Sequence, residues 1–274
     1  MSALQSRSKS FSYSDSLGQK FWKASVMSYC DQSALQAMTC HYCNDYNLEL
    51  LHFYTSPGSS VFNDVLSFAM LVDHDNHQFI TSFKGSNSNG QLVNQLIDNS
   101  MVSYTINSLS AGVLDYAYDS YKDNLRSEFQ TKYQEYTAQY PSYDAIITGH
   151  SLGGALAEHA AVDASFQGYK EPFVITYGAP RVGDHRWASK VNTLTHYRVV
   201  NDRDIIVHYP FCKSNIWTGK CQTTNNKPYH SDSQIFYQGT SWQSCSAESS
   251  SCANKHRWVW DWSIDDHNDY FDGI

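Results

Sequence analysis

The sequence predicts an α/β fold, a central mostly parallel or mixed sheet covered by helices. Three observations lead there. Apolar residues recur at helical spacing from Leu114 to Tyr140, short buried strands flank a small-residue helix after them, and no repeat or linker divides the chain. With 274 residues, 41% of them hydrophobic, the chain can bury a sizeable core, and we expect one domain over 1–274.

Taken in order, residues 16–37 read as helix after a polar start. Two apolar runs at 67–72 and 78–83 enclose Asp73-His74-Asp75-Asn76-His77, a hairpin pattern. Leu114, Tyr118, Tyr121, Leu125, Phe129, Tyr133, Tyr136 and Tyr140 make one stripe on a long helix that Pro141 stops. Such a stripe is what a core-facing helix side needs, and it is assigned no chemistry. Residues 145–148 form a short buried strand and 152–165 an Ala-rich helix. Two further buried strands follow at 173–177 and 196–200.

Composition removes several function classes. Charged residues are only 17%, but the longest apolar runs, such as Phe68 to Val72, stop at five residues, far short of the ~20 a membrane helix requires. The 13 Phe, 20 Tyr and 7 Trp call for a folded interior rather than disorder. A net charge of −8 without Lys/Arg clusters speaks against nucleic acid and against electrostatic docking on anionic lipid.

The 7 cysteines fall into three close pairs, Cys40 with Cys43, Cys212 with Cys221 and Cys245 with Cys252, leaving Cys30 over. No second ligand pair follows Cys40-His41-Tyr42-Cys43, so disulfides are expected in place of a metal site. That expectation points to secretion. The sequence itself shows no signal peptide, and a removed leader reconciles the two. A lost C-terminal segment carrying the partner of Cys30 would explain the odd count.

The chemistry concentrates at Gly149-His150-Ser151-Leu152-Gly153-Gly154, between a buried strand and the Ala-rich helix. A serine hydroxyl becomes a nucleophile only when it is exposed, near a base, and close to donors for the developing oxyanion. A sharp strand-to-helix turn meets the first need, and its crowding demands Gly two before and two after. The helix that follows offers the backbone N–H of Leu152 as one oxyanion donor.

With these residues the chain resembles the class 3 lipase family of α/β-hydrolases, which includes secreted fungal triacylglycerol lipases and feruloyl esterases. Phe83-Lys84-Gly85-Ser86 is similar to the family's oxyanion-loop motif. The run from Tyr177 to Gly183 resembles its Gly-x-Pro-Arg-Val-Gly segment, Arg198 to Ile206 the segment bearing the acid, and His267-Asn268-Asp269-Tyr270-Phe271 the C-terminal His-x-x-Tyr-Phe. The resemblance implies an α/β-hydrolase fold with a short lid over the site.

A base and an orienting carboxylate must accompany Ser151, in the chain order Ser, acid, His. Chemistry alone leaves the base open among His185, His208, His230, His256 and His267; the resemblance selects His267. It likewise selects Asp204, immediately before the Ile-Ile pair, with Asp202 a solvated loop residue. The family usually has Pro where this chain has Val207. Ser86, through hydroxyl and N–H, is the second implied oxyanion donor beside Leu152.

After Ser86, Leu92, Val93, Leu96 and Ile97 fall on one helical face, and the stretch 87–100 resembles the family's lid. Many fungal lipases carry Trp where this chain has Leu92, whereas feruloyl-esterase-like members tend to have Leu. The expected function is therefore a serine carboxylester hydrolase of acylglycerols, needing no metal or organic cofactor. Its expected partner is a lipid or small-molecule ester, with a lipid–water interface as a further expected partner. Short-chain or feruloyl-type esterase activity and a catalytically silent lipid-binding role are the competing readings.

Overall fold

The structure, a computed structural model, describes residues 11–43, 45–57, 65–86, 100–215 and 220–271. Eight strands build one sheet: β1 (Leu48–Thr55), β2 (Ser67–Asp73), β3 (Gln78–Phe83), β6 (Asp144–His150), β7 (Phe173–Tyr177), β8 (His196–Asn201), β9 (Gln234–Gln238) and β10 (Ser241–Cys245), adjacent in that order. The pairings from β3 to β9 are parallel. Both margins, β1–β2–β3 and β9–β10, are antiparallel. The hairpin β4 (Met101–Ile106) and β5 (Leu109–Leu114) stands apart as a two-stranded sheet.

Burial follows the pleat. Along β2, Phe68 and Met70 join the core on one face while Ala69 and Leu71 join the core on the other, as a sheet covered on both sides requires. The first face is covered by α3 (Asp115–Ser120), α4 (Arg126–Gln139), α5 (Leu152–Phe166) and α6 (His185–Val191); α1 (Asp15–Met27) and α2 (Gln32–Gln36) cover the second. α5 is buried all round from Leu152 to Ala164, Glu158, His159 and Asp163 included, because it is enclosed. The α/β expectation is met.

Three local expectations are corrected. The helix read over 16–37 is broken after Met27. There Ser25 and Ser28 donate their hydroxyls to the carbonyls of Trp22 and Ser25, and Tyr29 and Cys30 close tighter turns onto Val26 and Met27. The long tyrosine-striped helix runs as α3, a π-helical turn over Tyr121–Leu125, and α4. That turn keeps Tyr121, Leu125 and Phe129 all buried on the sheet side. Leu114, read as the start of the stripe, is the last residue of β5.

The three expected disulfides, Cys40–Cys43, Cys212–Cys221 and Cys245–Cys252, are formed, and Cys30 is free. The loop after β7 is anchored by a buried ion pair: Arg181 Nε and Nη2 donate to Glu248 at 2.7 and 2.9 Å. Burial alone would raise the Glu248 carboxyl, but the Arg181 charge and its hydrogen bonds outweigh it and hold the group well below the usual range. Among the described residues no helix is long and apolar enough to cross a membrane.

Candidate active site

The site assembles beyond the carboxyl ends of the parallel strands, where open α/β sheets present their loops. Ser86 follows β3, Ser151 follows β6, Gly178 follows β7 and Asp204 follows β8. Because Phe83 pairs with Gly149 in the β3–β6 register, the Lys84-Gly85-Ser86 turn runs directly beside the nucleophile turn.

Ser151 sits at φ 62°, ψ −130°, between the end of β6 and the first residue of α5. This backbone is costly for a residue with a side chain, and the surroundings enforce it: its N–H donates to the Tyr177 carbonyl at 2.9 Å. The crowding explains the glycines. A Cβ on Gly149 would strike the Gly153 carbonyl, and one on Gly153 would strike the Phe83 carbonyl.

Around that hydroxyl the expected residues converge. The Ser151 Oγ lies 2.9 Å from His267 Nε2, and His267 Nδ1 lies 2.9 and 3.0 Å from the two Asp204 oxygens. Only a carboxylate faces Nδ1, so Nδ1 carries the proton and Nε2 is left to accept from the serine. Asp204 and His267 are wholly buried. Two more donors complete Asp204: the Ile206 N–H at 2.7 Å and the Tyr270 hydroxyl at 2.6 Å. Burial, then the adjacent Asp204 charge, raise the Tyr270 phenol well above its ordinary value, so it donates at any working pH.

The competing histidines lie elsewhere. His208 stacks on Trp262, His230 meets the Val207 carbonyl at 2.8 Å, His256 meets Asp202 at 3.1 Å, and His185 starts α6. Asp202, as expected, lies in the partly exposed turn after β8 and takes no part. Val207, where the family has Pro, is buried in a 3-10 turn over Ile206–His208.

On the oxyanion side, Leu152 is the buried first residue of α5, so its N–H has no partner within the helix. The Ser86 hydroxyl is buried with no hydrogen-bond partner among the described residues. A buried hydroxyl left unpaired is costly, and a position reserved for a developing oxyanion accounts for it. Gly85 brings this turn close: a Cβ there would lie 3.2 Å from Ser151 Cβ. The lid residues Leu92, Val93, Leu96 and Ile97 lie outside the described residues.

The profile of the class 3 lipases matches residues 80–214, a stretch that contains Ser86, Ser151 and Asp204. Over that stretch, just under half of its length, the chain is similar to the class 3 lipases. His267 lies beyond the matched stretch, and its place beside Ser151 follows from the fold. A lipase of Caenorhabditis elegans is 33% identical over 117 residues, covering 37% of this chain and 33% of the relative. The Rhizomucor miehei lipase is 40% identical over 98 residues (34% and 27%), and a secreted mono- and diacylglycerol lipase of Penicillium cyclopium 30% over 141 residues (51% and 45%). The chain thus spans between about a quarter and just under half of the length of these relatives. In three dimensions it matches lipase II of Rhizopus niveus with a TM-score of 0.77 at 24% identity, over 95% of this chain and 96% of that one. A triacylglycerol lipase whose catalytic centre is a serine protease triad matches with a TM-score of 0.75 at 25% identity, over 93% of each chain. The chain shares the α/β-hydrolase fold of these lipases.

Two contacts that the sequence did not reveal support the base. His150 Nε2 lies 2.9 Å from the His267 carbonyl, which can only accept, so the proton is on Nε2; Nδ1, 3.1 Å from the Tyr29 hydroxyl, then accepts from it. Burial and the neighbouring His267 push His150 well below the usual imidazole range, so it is neutral. Tyr270 was visible in the His-x-x-Tyr-Phe motif, but its role at Asp204 was not.

Proposed function

We propose that this protein is a serine carboxylester hydrolase that cleaves acylglycerol esters, with Ser151, His267 and Asp204 as its triad. The observation that carries this reading is the 2.9 Å contact between Ser151 Oγ and His267 Nε2, backed by a fully buried Asp204. Ser151 attacks the ester carbonyl while His267 takes its proton, and Asp204 stabilises the imidazolium. The Leu152 N–H, with the Ser86 N–H and hydroxyl, receives the oxyanion. His267 then returns the proton to the leaving alcohol. Water, deprotonated by the same imidazole, attacks the acyl-enzyme and frees the acid. Neutral His150, with its ring 4.5 Å from His267, adds no charge that would oppose the imidazolium.

The acylglycerol substrate draws support from the Penicillium relative, named for mono- and diacylglycerol hydrolysis. That relative is also secreted, and three disulfides in this chain favour an oxidising, extracellular setting. The chain acts as one domain over 1–274. Reading 87–100 as its lid rests on periodicity and family resemblance.

The test is hydrolysis of p-nitrophenyl esters from acetate to palmitate, free and emulsified, with Ser151→Ala as control. The reading expects activity on the long emulsified esters and a drop on the order of 10⁶ in kcat for the variant. Turnover falling with acyl length, with no gain at the emulsion, would select a short-chain or feruloyl-type esterase. No turnover at all would leave a lipid-binding protein.

A further inference from the structure

The strongest unexplained surface lies just before the proposed base. Trp258, Val259 and Trp260 are 58%, 57% and 73% exposed, with Phe211 at 44% and Ile264 at 37% alongside. Exposed tryptophans in tandem are unusual in water, where each leaves a large apolar area unburied. They rise from a fixed base. Trp262 donates its indole N–H to the His256 carbonyl at 2.7 Å, stacks on His208 with ring centres 4.4 Å apart, and packs Phe211 at 5.9 Å. The segment is tied to the triad. Ser263 N–H donates to the Arg203 carbonyl at 2.8 Å, Ile205 N–H to the Ser263 carbonyl at 3.2 Å, and His267 N–H to the Ile264 carbonyl at 3.2 Å.

We propose that Trp258, Val259, Trp260, Phe211 and Ile264 form an anchor that inserts into the neutral or zwitterionic acyl-lipid surface carrying the ester, setting the triad against it. This rests on the functional reading above. Charge argues for that occupant. On the segments that carry the ridge, Lys213, Lys220, Lys255, Arg257 and Arg203 nearly balance Asp202, Asp261, Asp265 and Asp266, and the whole chain is at −8, so anionic lipid offers little attraction. What remains is apolar insertion, for which indole is suited. A sugar platform fits less well. Trp258 and Trp260 stack on each other, ring centres 5.0 Å apart and 6° from parallel, using one face of each, and aliphatic Val259 and Ile264 project with them.

The experiment measures partition of the Ser151→Ala protein onto phosphatidylcholine vesicles by flotation, with tryptophan quenching by acyl-brominated lipid. Because this variant turns nothing over, the result is independent of hydrolysis; a failed ester assay would sink the functional reading and leave the partition result standing. Adding Trp258→Ser and Trp260→Ser should weaken partition at least about tenfold, while Trp258→Phe with Trp260→Phe keeps most of it. Equal thermal unfolding temperatures show that the variants are folded. Anionic phosphatidylglycerol should give no tighter binding. Partition that ignores the tryptophans overturns the proposal. So does tryptophan-dependent binding to an insoluble polysaccharide instead of vesicles, or a dimer in sedimentation that the double serine variant abolishes.

Discussion

Asp204 receives three hydrogen bonds in a site closed to water, and each has a separable consequence. Asp204→Asn keeps the shape but turns an amide toward Nδ1, favouring the wrong imidazole tautomer; kcat should fall about 10⁴-fold with little change in KM. Tyr270→Phe removes one charge-assisted bond worth roughly 1.5–3 kcal/mol, so kcat should fall on the order of tenfold and up to about a hundredfold. A loss in KM alone would place Tyr270 in substrate binding instead. Ser151 was legible in a contiguous turn at a strand end, whereas Ser86, Asp204 and His267 were reached through the family resemblance. His267 lies in a short helical turn, Asp265–Asn268, away from any strand end. The Tyr29–His150 contact was not legible: it joins positions 121 apart, and no local pattern encodes a pairing made by the docking of α1 on the sheet.

At the scale of elements, the nucleophile turn is the least forgiving. Gly153→Ala would drive a methyl into the Phe83 carbonyl, so either β3 or α5 must shift. Its soluble yield should collapse, or its activity should drop together with its melting temperature. The Arg181–Glu248 pair gives a second test. Arg181→Met strands a buried carboxylate, at a cost of about 3–5 kcal/mol, which corresponds to a melting temperature lower by roughly 10 °C. Pairing it with Glu248→Leu should recover much of that loss; no recovery would mean that the residues act separately. The buried parallel strands β6, β7 and β8 were readable as short apolar runs, and β2–β3 as a hairpin. β1, β4, β5, β9 and β10 escaped. β1 is half-buried along most of its length, and β10 is mostly exposed, so neither carries a clean two-residue alternation. β9 is buried, but Gln234 and Gln238 bound its apolar run at only three residues, Ile235 to Tyr237. α1 was found but drawn too long, since helical periodicity does not report where serine hydroxyls compete for the backbone.

Across the whole molecule, burial sets the response to pH. His159, His196 and His208 are pushed down to about 3, and His150 and His230 well below the usual imidazole value, in each case chiefly by burial. Glu158 moves oppositely, raised by burial to about 7. The unfolded imidazoles take up protons below about pH 6.5 while the folded ones stay neutral, so stability is lost as pH falls from there toward 3. Glu158 opposes this, since its folded form holds a proton that the unfolded chain releases above about pH 4.3. Among these deeply buried groups the five imidazoles outnumber the one carboxyl, so unfolding takes up protons near pH 5.5. Denaturant titrations between pH 5 and 7 should therefore show stability rising steeply with pH, and a flat profile would contradict it. The fold class was legible because its determinants are repeated along the chain, whereas these buried histidines owe their state to neighbours from distant segments. The most direct test of the central claim is mass mapping after treatment with a fluorophosphonate. The account predicts one label per molecule, on Ser151, lost on unfolding and sharply slowed in His267→Gln; a folded protein that stays unlabelled, or takes the label on another residue, would contradict it.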